Sequence, residues 1–250
     1  MNNTKTSISY EGWLKWASLF LLIAKGIEYL LYGKDLFNHS QLNTSILGVP
    51  LILCAVLLGF KRFQYKLIGA RISFLILFLD NCDSFYQSSF LPHQFIEHTL
   101  MMVTPLLYLG VLKYGMSKIN NFMRMAVALT FVGHGVFAVS WGAIPSHFAG
   151  MTNYILGLEG DSIKVFLMIM GLFDFLASFL LFTRKFQTPA LLYMVVWGVL
   201  TSMARFIYGF ESDVLRGLLG TLYRFPHFIV PLMLLMNYYS KRLSHSSSLP

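Results

Sequence analysis

Charge is what this chain has least of: 12% of its residues are Asp, Glu, Lys or Arg, against about 25% in soluble domains. So sparse a supply cannot clothe a water-soluble globule. Acids are the scarcer sign, 11 against 19 Lys and Arg. The excess cations do not form a basic patch or run, so they give no reason to invoke a nucleic-acid partner. They fall in short links between apolar blocks, where cytoplasmic Lys and Arg gather. Cysteine is confined to Cys54 and Cys82, each inside an apolar block, which leaves no disulfide framework. No P-loop, dinucleotide fingerprint, HExxH or GxSxG motif is present.

What the chain does have is apolar length. Hydrophobic residues make up 56% of it, in long blocks instead of amphipathic stripes. Blocks of about 17–25 apolar residues match the hydrocarbon thickness of a bilayer, and only helices can satisfy their own backbone there. The fold class expected is all-α, a polytopic transmembrane bundle of about eight spans. These are Trp13–Gly33, Ser45–Phe60, Ile68–Phe85, Leu91–Tyr114, Phe122–Ile144, Ile163–Phe182, Ala190–Tyr208 and Thr221–Tyr239. Pro92, Pro145 and Pro189 fall at span ends, while Pro105, Pro226 and Pro231 fall inside spans and predict kinks. The first block reads as a retained helix and not a cleaved signal.

Loop charge predicts orientation. Lys61, Arg62, Lys66 and Arg71, then Lys113, Lys118 and Arg124, then Arg184 and Lys185, and finally Lys241 and Arg242 mark one side. The alternate links carry Asp35, Glu159, Asp161, Glu211 and Asp213 with few cations. The expected location is a cell membrane, multi-pass, with both termini cytoplasmic.

The block MRMAVALTFVGHGVFAVSWG (Met123–Gly142) has a weaker copy, LKWASLFLLIAKGIEYLLYG (Leu14–Gly33), at an offset of 109. The alignment puts Lys15 on Arg124, Lys25 on His134 and Gly26 on Gly135. LLGFKRFQ (Leu57–Gln64) matches LLFTRKFQ (Leu180–Gln187) at 123, and VTPLLYL (Val103–Leu109) matches IVPLMLL (Ile229–Leu235) at 126. Two like-oriented four-helix repeats are implied, residues 13–114 and 122–239, flanked by polar tails 1–12 and 240–250. An opening helix with a cation, an apolar run and then His-Gly, as in Arg124 to His134-Gly135, resembles that of the DoxX-like membrane proteins. Lys15 to Lys25-Gly26 resembles a degenerate copy. The resemblance implies a four-helix unit and, for some members, a quinone-linked redox subunit.

Ionisable groups within spans are functional candidates by default: Lys25, Glu28, Asp80, Asp83, Glu97, His98, His134, Asp174, Arg205, Arg224 and His227. Traced from the predicted side, all but Asp174 fall in the outer half of the membrane. Lys25 and Glu28 share a helix face. Asp80 and Asp83 are either part of a cluster or solvated among headgroups. Glu97 and His98, being adjacent on a continuous helix, are expected to point apart, with Glu97 an interfacial acid. His93, His147 and His245 are expected to be solvated.

The second half is the richer one. Thr130 and His134 lie one turn apart, Asp174 sits deep, and Arg205, Arg224 and His227 come on the last two spans. Asp174 is expected to pair with a cation, Arg205 before His134. Pro231 frees the His227 carbonyl. His134, His227 and Asp174 are the expected proton-handling groups, with Arg205, Arg224 and Thr130 as ligand anchors around one outward pocket. The expected ligand is a lipophilic small molecule with polar oxygens, such as a quinone. A metal held by His134, Asp174 and His227, or a haem held by His98 and His227, finds no support in the spacing. Three functions stay open: a redox or lipid-processing binding protein, a transporter, or a non-catalytic scaffold whose polar groups only hold helices together. For any of them the expected partners are the lipid bilayer and other membrane subunits.

Overall fold

A computed structural model describes residues 10–37, 39–139 and 146–246, with no side-chain description at 39–42 and 241–246. Gly142, Pro145, residues 1–9 and residues 247–250 lie outside the described residues, as do the side chains of Lys241, Arg242 and His245. The chain is an all-α bundle. Among the described residues, four helical stretches are long and apolar enough to cross a membrane: Pro92–Tyr114, Asp161–Leu180, Gln187–Gly209 and Val214–Ser240.

In order the elements are α1 (Tyr10–Tyr32), a small antiparallel hairpin of β1 (Asp35–Leu36) and β2 (His39–Asn43), α2 (Ser45–Gly59) and α3 (Phe63–Gln87). Then come α4 (Pro92–Glu97), α5 (Thr99–Tyr114), α6 (Met116–Ala138), α7 (Ser146–Leu156) and α8 (Asp161–Leu180). The chain closes with α9 (Gln187–Gly209), α10 (Val214–Leu222) and α11 (Pro226–Ser246). Two of the predicted spans prove to be broken. The fourth divides at His98, whose backbone (φ −90°, ψ 0°) leaves the helical region. The eighth divides between Leu222 and Pro226, so Pro226 opens a helix instead of kinking one. A further difference is α7, which occupies a link expected to be loop.

The broken stretches are the most enclosed: in their most apolar 18-residue windows 61% of residues are buried for Pro92–Tyr114 and 67% for Val214–Ser240, against 28% for Asp161–Leu180 and for Gln187–Gly209. The outer helices turn large apolar side chains outward, Leu172, Leu176 and Phe179 among them. That surface needs a hydrocarbon solvent.

Packing obeys a regular scheme. Helix α1 lies on α2, α2 on α3, α3 on α4 and α5, and α1 on α5. Helix α6 lies on α8, α8 on α9, α9 on α10 and α11, and α6 on α11. Across the middle α1 meets α10 and α11, while α6 meets α4 and α5. Glycine allows two of these crossings. A Cβ at Gly26 would stand 2.8 Å from the Gly48 carbonyl oxygen, and one at Gly171 would stand 2.8 Å from that of Gly135. Backbones this close gain dispersion contact that a side chain would prevent.

Links gather at two ends. At one, Tyr32 donates to Asp213 (2.7 Å), Arg216 covers the Tyr32 ring, and Lys34 pairs with Asp83 (2.7 Å). At the other, Asn237 donates to Asn120 (3.0 Å), Lys66 lies over Tyr108, and Tyr238 reaches the Arg184 carbonyl.

Candidate functional site

The break at His98 is what builds the site. A continuous helix would send Glu97 and His98 apart; the change of direction lets their side chains meet, Glu97 Oε1 lying 3.2 Å from His98 Nε2. Helix α6 fits against this corner because residue 133 is glycine: a Cβ there would be 2.5 Å from the Glu97 nitrogen. The break also leaves the Leu100 amide without a helical partner, and the Thr130 hydroxyl accepts it at 3.0 Å. Thr130 is therefore a backbone anchor outside the cavity wall, not the ligand contact expected of it.

One turn on, His134 directs Nδ1 to Glu97 Oε2 at 3.5 Å. Its ring centroid is 5.3 Å from that of His227 on α11, inside the roughly 8 Å that lets one small molecule bridge two groups. His227 is 3% exposed, and among the described residues neither of its ring nitrogens has a hydrogen-bond partner. Its freed carbonyl is covered by α9, where a Cβ at Gly198 would stand 2.8 Å away.

Both histidines face a partly open cavity of about 270 Å³ lined by α6, α7, α8, α9 and α11. Asp174 and Arg205 line it as expected, among walls that are mostly apolar: Phe131, Met151, Leu167, Met170 and Trp197. Arg224 does not line it. It is buried beside the break before α11, where Nη1 donates to the Tyr223 hydroxyl and the guanidinium lies 4.6 Å from that ring's centroid. Lys25 reaches the same ring from α1, at 5.0 Å.

No protein-family model, curated protein or solved structure matches the chain. The chemistry of the site therefore rests on its own residues.

The expected Asp174–Arg205 pair is not formed. Asp174, 2% exposed, accepts from the Tyr193 hydroxyl at 2.8 Å and makes no ion pair among the described residues. Arg205 instead donates Nη1 to the Thr201 carbonyl at 2.9 Å and stacks over Phe148. A neutral phenol on the facing helix was a nearer and less costly partner than a second buried charge.

The first half forms its own cluster. Lys25 Nζ is 3.0 Å from Glu28 and 3.6 Å from Asp80, beside a small cavity of about 30 Å³ shared with Asn81, His98 and Tyr223. Asp83 is fully buried, capped by Lys34, the Phe37 amide and Gln87, so neither acid is a solvated headgroup residue. His93 is also buried, its ring edge-on to Phe137, contrary to the solvated position expected.

Sequence reasoning under-read Glu97 and overlooked Tyr223 and Tyr193. The two copies held a signal for the first two. At the offset of 126 that relates Pro105 to Pro231, Glu97 falls on Tyr223 and His98 on Arg224.

Proposed function

We propose that this chain is a multi-pass protein of the cell membrane that binds a lipophilic small molecule in the cavity bounded by His134, Asp174, Arg205 and His227. The observation that carries the reading is His227: a buried imidazole whose two nitrogens find no partner among the described residues, facing a cavity with apolar walls. Buried polar atoms are almost always hydrogen-bonded, so an imidazole left bare in this position calls for a ligand. His134 and His227 would donate to or exchange protons with the ligand's oxygens, and Arg205 would anchor it. A purely structural scaffold accounts for Thr130 and Asp83 but not for His227.

The chain would cross the membrane eight times, in two like-oriented four-helix repeats with both termini cytoplasmic. Support comes from the glycine crossings: Gly26 on Gly48 corresponds to Gly135 on Gly171 at the offsets of 109 and 123 found in the sequence. The packing scheme supports it too, since exchanging α1, α2, α3 and α4/α5 for α6, α8, α9 and α10/α11 reproduces it. The exchange also relates Lys25 against Tyr223 to His134 against Glu97. A pseudo-twofold along the membrane normal would generate all of this. With the His-Gly opening, such a layout would resemble that of the DoxX-like proteins, and a quinone-like ligand is the reading that resemblance favours.

Mass spectrometry of small molecules released on denaturation tests the ligand reading. The wild type is expected to retain a lipophilic compound that Ala204→Phe, which fills the cavity, does not. Equal retention by both proteins would sink it. The two broken helices favour one second reading, a transporter, because discontinuous helices at matching positions frame many transport sites. Uptake of the identified ligand into proteoliposomes would distinguish the two.

A further inference from the structure

We infer that the cavity's ligand is an anion, a single-chain amphiphile whose charged head lies against Arg205 and His227 and whose chain fills the apolar part. The inference rests on the cavity being a ligand site, as proposed above, and narrows its chemistry.

The cations of this layer are not balanced alike. Lys25 has two carboxylates in ion-pair reach. Arg205 and Arg224 have none among the described residues. Glu97, the acid supplied by the break at His98, is already held by His98 and His134. Asp174 is engaged with Tyr193. Among the described residues, two guanidinium groups therefore sit in an apolar bundle with no carboxylate in contact, Glu97 acting on Arg205 only from a distance, an arrangement that favours a ligand that brings a negative charge.

The donors left over show where that charge would sit. Arg205 uses Nη1 on the Thr201 carbonyl, while Nη2 is buried without a partner. Arg224 uses Nη1 on Tyr223, while Nε is buried without one. His227 adds two unpaired ring nitrogens at the cavity wall. Helix α11 begins at Pro226, so its positive end lies in the same layer. A guanidinium fork and an imidazole suit the oxygens of a carboxylate or phosphate. A neutral quinone carbonyl could accept one of these hydrogen bonds but would bring no charge to the Arg205 guanidinium at the cavity wall. Away from this end the walls are Phe131, Met151, Ile155, Leu167, Met170 and Trp197, a lining for hydrocarbon.

Trp197 lines the cavity and gives the readout. With Trp13, Trp16 and Trp141 changed to Phe, contact quenching by bromine-labelled chains reports occupancy. The probes are bromine-labelled dodecanoate, dodecyl phosphate and dodecanol in nanodiscs of zwitterionic lipid at about pH 8, where the carboxylate is ionised. One or both anions are expected to quench at membrane concentrations about tenfold or more below the alcohol, the worth of a charge-assisted hydrogen bond. The two anions, compared with each other, identify carboxylate or phosphate as the head. Arg205→Gln should abolish the preference, and Arg205→Lys, which keeps the charge, should retain part of it if the fold is intact. Equal quenching by alcohol and anions overturns the anionic head while leaving the cavity as a ligand site. No quenching by any probe, nor by a short-chain quinone, overturns the site itself.

Discussion

Replacing Gly133 with alanine should separate α6 from the corner that carries Glu97. The added Cβ would stand 2.5 Å from the Glu97 nitrogen, 2.6 Å from its Cα and 2.8 Å from its Cβ, whereas carbon atoms rest about 3.5–4.0 Å apart. Two of the three obstructing atoms are backbone, so a rotamer change cannot relieve the contact; one helix must retreat by about 1 Å. Overpacking of this kind costs about 1–3 kcal/mol, and the upper end applies when backbone must shift. Alanine returns about 1 kcal/mol of helix propensity, leaving a net loss of about 2 kcal/mol. Retreat would also draw Glu97 away from His134, which it meets at 3.5 Å. The control is Gly59→Ala, at the end of α2, where a Cβ meets nothing within 4 Å; it should be neutral or slightly stabilising. Reversible unfolding in mixed micelles, followed by circular dichroism, measures both. If Gly133→Ala is as stable as Gly59→Ala, the close approach of α6 to α4 is not what holds this corner.

Tyr193→Phe should destabilise by about 1 kcal/mol by removing one of the two side-chain donors to Asp174, Tyr193 and Trp197, and adding Asp174→Asn should recover part of that loss, whereas Asp174→Asn and Arg205→Gln should combine additively. Asp161→Cys and Lys185→Cys, in a background lacking Cys54 and Cys82, report orientation: an impermeant thiol reagent on intact cells should label the first and not the second, and the reverse pattern would invert the topology. The Arg216 amide and then the Tyr32 hydroxyl hold the Asp213 carboxyl below its usual range, so the clasp between α1 and α10 contributes above the unfolded value of about 4 and fails as pH falls through the lower folded one. Hydrogen-exchange protection of the Arg216 amide, corrected for intrinsic rate, should therefore drop in acid in the wild type and lose this pH dependence in Asp213→Asn.

The apolar helices were legible because hydropathy reports burial in lipid or protein directly, but several ends differ by five to seven residues: α3 begins at Phe63, α6 runs from Met116 to Ala138, and α11 continues to Ser246. The breaks were not legible. Hydropathy runs on through His98 and through Tyr223–Phe225, and a helix that changes direction keeps the same composition. That omission propagated: on a continuous helix Glu97 and His98 diverge, so the acid at the centre of the site looked interfacial. Asp174 was misassigned for a different reason. Opposite charges suggest a pair, yet the sequence gives no distance, and Tyr193 faces it across a single helix contact. Helix α7 was hidden by its polar start at Ser146-His147 and its place in a long link. His134 and His227 were within reach of sequence reasoning because a histidine inside an apolar run is rare enough to stand out.

Glu97 and His134 lie on opposite sides of the chain's midpoint, and synthesis is vectorial. Glu97 and His98 reach the membrane a few seconds ahead of His134, at about 5–20 residues per second. During that interval the acid has only its neighbour for company, and the groove that will receive α6 faces lipid. The early chain is thus left with an unfinished polar corner that only later residues can close. Insertion of the first helices and completion of their packing become separate events in time, and a nascent chain stalled between them is the natural target for membrane quality control.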